Sequence, residues 1–236
     1  MSDIIMYNQN DEIYIKNTIS KLSRIRKESN NLVKGVCRVI LDGEIKIDLI
    51  PNIVTGSGRT FVSQKIFNQR YYSDDDYRSW TVSHFGFGQG GAVIVENGVA
   101  NIISPNGCEQ DLYNPIPLCD ATVNATLQYL TSPGDINKSV LPTQYVVKPI
   151  GPNIAFLQSE DLECPDGGIH TYIRCSCINA IGEPNYLIND TDYIIINETA
   201  LYYTNLITAK LFAHICYPPQ YIQKKSEFVI EWYILC

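Results

Sequence analysis

The chain has 236 residues, enough to bury a sizeable core in one domain or in two small ones. Its 25 acidic and 18 basic residues give a formal net charge of −7, which argues against a nucleic-acid partner because binding a phosphate backbone needs a basic surface. No run of about 18 apolar residues is present, so we expect no membrane partner.

The N-terminal segment predicts an amphipathic helix. Its aliphatic residues recur at helical spacing: Ile15, Ile19, Leu22 and Ile25. Such a helix covers the core of its own domain or docks on a neighbouring subunit, and we divide the chain into a helical arm, 1–31, and a β-rich structural domain, 32–236. Because a basic arm attracts acidic neighbours, we expect it to contribute more to assembly than to the fold. The start lacks the features of a secretory signal peptide, so we expect synthesis in the cytoplasm.

A hairpin and a short helix are predicted next. Asp42-Gly43 favours a two-residue turn between the strands Val36–Leu41 and Glu44–Leu49. Ile45, Ile47 and Leu49 alternate with polar residues, which predicts one buried face. The segment Gly58–Arg70 is typical of a short helix.

Strands dominate the rest of the chain. The predicted strands are Trp80–Phe85, Ala92–Glu96, Val99–Ile103, Ala121–Leu130, Gln144–Lys148, Asn153–Gln158, Ile169–Ile178, Tyr193–Asn197 and Glu227–Leu235. Many short strands with few helices predict a mainly β fold: an antiparallel β-sandwich-like domain with an N-terminal amphipathic helix and one short helix.

The stretch GFGQGG, which starts at residue 86, has the spacing of a dinucleotide-binding fingerprint. In nucleotide-binding folds a helix leaves this loop and holds the pyrophosphate at its N-terminus. Here a β-branched segment and the turn-forming Asn97-Gly98 follow, which indicates a hairpin, so we expect no cofactor. Glycine also permits close approach of backbones, and that structural role is assigned to Gly86, Gly88, Gly90 and Gly91.

Groups that could perform catalysis are sparse. The histidines are His84, His170 and His214, and the first two lie in predicted strands beside apolar residues, which indicates hydrogen-bonded structural side chains. No nucleophile elbow, phosphate-binding loop or His-Glu-x-x-His pattern is present. We therefore assign no catalytic residue and predict that the chain is not an enzyme.

The eight cysteines bear on redox state and on metal binding. Without a secretory signal we expect reduced thiols. The best metal candidate combines Cys164, Cys175 and Cys177 with His170 or Cys216. Their spacing does not fit a zinc finger, so we assign no metal ligand and expect thiols that pack as small hydrophobes. Metal binding and disulfide formation by these cysteines stay open at this point.

The C-terminal third resembles the end of bacteriophage virion structural proteins of the tail, neck, baseplate and fibre-connector kind. The matching positions are Asn197, Glu198, Leu201, Tyr202, Leu211, Phe212, Ala213, Pro218, Pro219, Lys224 or Lys225, and Trp232. The helix and the glycine loop described above are similar to the same family, although eight cysteines depart from its pattern. The resemblance implies a non-enzymatic subunit of an oligomeric ring or connector, with other virion proteins and copies of itself as partners, assembled in the host cytoplasm.

A second class of function stays open beside this one. The chain has sixteen tyrosines, three of them in the acidic loop from Tyr71 to Tyr77, and exposed aromatic rings can stack on sugars. A carbohydrate-binding or adhesin module is therefore the alternative.

The final strand is expected to close the core. Phe228, Ile230, Trp232 and Ile234 share one face of it, with Trp232 as the largest buried ring, and Phe212 is a further structural residue. The opposite face carries Glu231 and Tyr233, which we expect to tolerate substitution unless that face is an interface.

Overall fold

The computed structural model describes residues 34–67, 80–94, 98–116, 118–119, 144–145, 147–150, 154–158, 171–179, 193–204, 209–223 and 225–235, together with helical residues 14, 17–18 and 20–22. Within them the chain forms β1 (Lys34–Leu41), β2 (Glu44–Pro51), β3 (Ile53–Val54), α1 (Gly56–Phe67), β4 (Thr81–Gly88), β5 (Ala92–Ile94), β6 (Ala100–Ile102), β7 (Leu118–Cys119), β8 (Gln144–Tyr145), β9 (Val147–Pro149), β10 (Ile154–Gln158), β11 (Thr171–Asn179), β12 (Tyr193–Thr204), β13 (Ala209–Gln223) and β14 (Phe228–Leu235).

Two antiparallel five-stranded sheets make up the sandwich. The first sheet has the order β10-β11-β14-β1-β2 and the second has the order β3-β13-β12-β4-β9. Their inner faces supply one hydrophobic core, and the rings of Phe87 and Phe228 meet across it with centroids 5.2 Å apart. The predicted mainly β, antiparallel sandwich-like fold is confirmed. The described helices include none that is long and apolar enough to cross a membrane.

The first hairpin has the predicted turn but not the predicted faces. Asp42 and Gly43 have φ angles of 52° and 78°, as a two-residue turn with two left-handed residues requires. Register shifts along β1 and β2 then pair Ile47 with Val39, which points into the core. They pair Ile45 with Ile40, the next residue of β1, which points to the opposite face. As a result Ile47 packs against the core while Ile45 is 46% exposed, so the simple alternation of this strand was wrong.

Helix α1 begins two residues before the predicted start. Thr55 caps it, because its side-chain oxygen accepts a hydrogen bond from the Gly58 amide (3.0 Å) and its carbonyl accepts one from the Arg59 amide (2.9 Å). A Cβ atom at Gly58 would lie 2.3 Å from the Phe212 carbonyl oxygen, so the helix lies directly against β13.

Strand β13 is the longest of the strands that the sequence did not predict, the others being the two-residue strands β3 and β7. The predicted strand Ala121–Leu130 lies outside the described residues. Pro218 and Pro219 interrupt the pattern of β13, and a proline cannot donate to a ladder. The pairing with β12 shifts register here, from Glu198↔Cys216 to Ile196↔Gln220. This irregularity accommodates both prolines within a long strand.

The outer face of the first sheet is covered by helical residues of the N-terminal segment. Tyr14 Oη donates a hydrogen bond of 2.6 Å to Glu231 Oε2, and Arg38 Nη1 donates one of 3.2 Å to Thr18 Oγ1. Glu231 and Tyr233 are consequently buried, which contradicts the exposed outer face on which their expected tolerance to substitution rested. The contribution of the arm to assembly stays a prediction, but its described residues contact the sheet of their own chain.

Candidate functional site

A buried polar cluster lies on the outer face of the second sheet. Glu198 in β12 pairs in register with Cys216 in β13, and His214 lies two residues before Cys216 on the same face. One possible ligand atom from each of the three side chains lies within 4.8 Å of the others, and all three residues are buried. A small apolar cluster that includes Leu112 and Tyr202 lies on the same sheet.

The Glu198 carboxylate is the centre of this cluster. Its Oε1 accepts hydrogen bonds from the amides of Gly90 and Asn114, both 2.9 Å long. Its Oε2 accepts one of 3.0 Å from the Tyr113 amide and lies 3.0 Å from His214 Nε2. Burial alone raises a carboxyl pKa, but the hydrogen bonds from His214 and from the three amides outweigh it and lower the pKa of Glu198. The side chain is therefore an ionised anchor that holds two loops against β12.

The glycine loop lies directly over this carboxylate. A Cβ atom at Gly88 would lie 2.2 Å from Glu198 Oε1, and one at Gly90 would lie 2.7 Å from the Asn114 nitrogen. At Gly91 a Cβ would lie 2.3 Å from the Asn197 carbonyl oxygen, while its amide donates a hydrogen bond of 2.7 Å to Asn197 Oδ1. The strand β5 leaves the loop as predicted, and the glycines serve close packing on a buried anion.

We predict that Gly91→Ala lowers the free energy of unfolding by about 1–3 kcal/mol, because the new methyl group meets backbone that has to shift. The matched control is Gly56→Ala, whose Cβ would lie 3.6 Å from the nearest atom, an ordinary contact. Urea denaturation of both variants checks this. Equal stability of Gly91→Ala and the parent would show that the loop does not lie against β12 in solution.

Glu198 and Cys216 both contact the same ring nitrogen of His214. Cys216 Sγ lies 3.7 Å from His214 Nε2, the same atom that contacts Glu198. In a nucleophilic dyad oriented by a carboxylate, the thiol and the carboxylate use opposite ring nitrogens. Burial, followed by the charges of Glu198 and Glu109, raises the pKa of Cys216 to about 12. The thiol is therefore not an activated nucleophile in this arrangement.

Acidic and aromatic side chains surround the cluster. The Tyr113 ring lies edge-on to His214, with centroids 5.0 Å apart, and its hydroxyl donates a hydrogen bond of 2.8 Å to Glu109. Tyr202 Oη donates one of 2.6 Å to Asp111 Oδ1. Burial and the nearby Glu198 raise the pKa of Asp111, and the hydrogen bond from Tyr202 only partly opposes this. The surroundings of the cluster favour a cation over a second anion.

The described cysteines of the metal site considered from the sequence do not lie together. Cys175 and Cys177 lie in the inner core on β11 of the first sheet, whereas Cys216 lies on the outer face of the second sheet. Cys164 and His170 lie outside the described residues. All cysteines whose state the structure describes are free thiols: Cys37, Cys108, Cys175, Cys177 and Cys216.

The other predicted residues lie in the sandwich. The Gly86 carbonyl in β4 accepts a hydrogen bond of 2.8 Å from Thr199 Oγ1. Trp232 and Phe212 belong to the main core, where Phe212 packs edge-on against Phe61. His84 is buried, which lowers its pKa to about 4, and its Nδ1 lies 2.9 Å from Ser83 Oγ.

Sequence reasoning missed the cluster itself. Glu198 entered only through a resemblance, and His214 was given no role. The available signal was a set of polar residues inside otherwise apolar strands, at His214-x-Cys216 and at Asn197-Glu198. Such residues are rarely buried unless they are paired.

No protein-family model matches the chain, and the searches of curated proteins and of solved structures found no match. The resemblance to virion proteins therefore rests on the short motifs given above.

Proposed function

We propose that this protein is a non-enzymatic structural subunit of a phage particle, and that it assembles with copies of itself through the β5–β6 hairpin. The observation that carries the proposal is the set of large aliphatic side chains that the hairpin leaves in solvent. Val93, Ile94, Val99 and Ile102 are exposed to 56, 52, 54 and 47% of their surface. The pairing places Ile94 and Ile102 on one face of the hairpin and Val93 on the other, so both faces expose apolar side chains, and exposed apolar surface of this kind can mark an interaction site.

The form of the hairpin supports the same proposal. A two-stranded sheet is marginally stable by itself in water. At the base of this hairpin the Ile103 amide donates a hydrogen bond of 2.9 Å to the Gly91 carbonyl, and the Gly91 amide donates one of 2.7 Å to Asn197 Oδ1 in β12 of the sandwich. Its base is thus fixed by the glycine loop over Glu198, while Val93, Ile94 and Ile102 keep about half of their surface in solvent.

The polar cluster supports a structural role for its residues. Three backbone amides converge on the Glu198 carboxylate, and the neighbouring thiol is held in a site that raises its pKa. These features fix loops and do not activate a nucleophile. The cluster thereby positions the surface that we assign to assembly.

Sedimentation velocity over a range of concentrations tests the assembly. We expect the parent to form a discrete oligomer and Val93→Lys to sediment as a smaller species with an unchanged melting temperature, because the lysine charge opposes burial of the hairpin. The control Ile45→Lys changes an aliphatic residue that is 46% exposed on β2 and should assemble like the parent. A parent that stays monomeric, and is absent from purified phage particles by mass spectrometry, would contradict the proposal.

A carbohydrate-binding module is the second candidate, favoured by one exposed aromatic pair. Tyr193 and Tyr221 are 54 and 50% exposed, and their rings lie edge-to-face with centroids 5.0 Å apart. The loop from Tyr71 to Tyr77 lies outside the described residues. Binding of the monomeric protein to a glycan array, abolished by Tyr193→Ala, would favour this function over assembly.

A further inference from the structure

We propose that Glu198, His214 and Cys216 form a zinc-binding site, which goes beyond the structural role proposed above. A carboxylate, an imidazole and a thiolate are the three side-chain types that bind zinc in proteins. Here all three are buried on adjacent strands of one sheet and converge without rearrangement of the backbone.

The distances between the donor atoms fit tetrahedral coordination. Typical zinc bond lengths at the tetrahedral angle place a nitrogen about 3.4 Å from an oxygen and about 3.6 Å from a sulfur. His214 Nε2 lies 3.0 Å from Glu198 Oε2 and 3.7 Å from Cys216 Sγ. These two separations differ from the ideal values by about 0.4 and 0.1 Å, and the candidate ligand atoms of all three side chains lie within 4.8 Å of one another.

Two of the candidate ligand atoms converge on a single nitrogen, as they would around a shared ion. One N–H group points well at one acceptor, yet both Glu198 Oε2 and Cys216 Sγ lie around His214 Nε2. His214 Nδ1 is buried without a hydrogen-bond partner among the described residues, so the polar contacts described for this ring all involve Nε2. An ion between the three atoms satisfies each of them at once.

The surrounding hydrogen bonds orient the carboxylate as a ligand. The amides of Gly90, Tyr113 and Asn114 fix both of its oxygens, and Oε2 keeps one lone pair for the ion once His214 ceases to donate. On binding, the thiol proton of Cys216 passes to solvent, and His214 Nε2 gives up the proton that it donates to Glu198, so that the ring proton is carried on Nδ1. Three protein donors leave a fourth position for water.

Cobalt(II) titration of chelator-treated protein provides the spectroscopic test, because cobalt reports a thiolate ligand through a charge-transfer band in the near ultraviolet. We expect about one Co²⁺ per folded chain, with that band, and its loss on addition of Zn²⁺. Cys216→Ser should remove the band. His214→Gln should weaken zinc binding by more than the roughly 10–100-fold that loss of an outer hydrogen-bond partner costs.

Matched cysteine variants separate this site from the other thiols. Cys175→Ala alters a buried thiol of the core and Cys108→Ser an exposed one, and both should keep the cobalt band. Circular dichroism checks the fold of each variant. If Cys216→Ser fails to fold, the cobalt stoichiometry of the parent and the presence of its thiolate band decide whether the site binds metal. A folded parent that binds no stoichiometric Zn²⁺ or Co²⁺, or a band that survives in folded Cys216→Ser, would overturn the proposal.

Discussion

Replacing Trp232 with alanine should lower the free energy of unfolding by about 3–5 kcal/mol, because it removes a large buried ring and leaves a cavity. Trp232 has no exposed surface and lies on β14 between β1 and β11, where Cys37 and Cys175 flank it in register. Neither neighbour is large enough to fill the space. A loss of this size is a large part of the roughly 5–15 kcal/mol that stabilises a typical domain. Urea denaturation followed by far-ultraviolet circular dichroism measures it.

Two controls define the cause of that loss. Trp232 Nε1 has no hydrogen-bond partner in the part of the chain that the structure describes, so Trp232→Phe loses volume but no hydrogen bond and should be less destabilised than the alanine variant. Ile45→Ala, on a half-exposed position, should change stability little. A Trp232→Ala variant as stable as the parent would mean that β14 does not present this face to the core.

Replacing Arg38 with methionine should lower the free energy of unfolding by about 3 kcal/mol, because it removes the closer of the two guanidinium partners of the buried Glu231 carboxylate and leaves only Arg174, whose Nη1 lies 3.8 Å from Glu231 Oε1. Arg38 Nη1 lies 3.3 Å from Glu231 Oε2, and the two side chains are 3 and 9% exposed. The guanidinium also pairs with Asp48 at 2.7 Å, which the irregular register of β2 brings beside it. Thermal and urea denaturation measure the loss.

A double variant tests whether the buried charge of Glu231, left with only the more distant Arg174 as its cationic partner, is responsible. Arg38→Met with Glu231→Leu should recover part of the stability, since both partners become apolar. The remaining loss reflects the hydroxyls of Tyr14 and Tyr233, which lose their acceptor. In the parent each donates a hydrogen bond of 2.6 Å to Glu231. Lys46→Met removes an exposed partner of Glu44 and should have little effect. A double variant no more stable than Arg38→Met would rule out the buried charge as the cause.

Local patterns predicted most strands but not the side that each strand faces. Alternation over two to eight residues is a property of the strand itself, and so β11 and β14 were predicted to within two residues. Which face of the sheet a side chain occupies depends on the strand register, and a single extra residue in the strand moves the side chains that follow to the opposite face. Ile45 turned outward for this reason. Tyr233 was placed correctly on the outer face, but only the packing of Tyr14 and Thr18 over that face buries it.

The sequence by itself determined the turn at Asp42-Gly43, the strand after the glycine loop and the inward face of Trp232, because each follows from the conformation or periodicity of adjacent residues. Only the tertiary structure decided what the glycines approach. Glu198 is separated from Gly90 by 108 residues and from Asn114 by 84, and no local pattern encodes a contact over that separation. The cluster of Glu198, His214 and Cys216 likewise exists because the register of β12 and β13 brings the three side chains to one face.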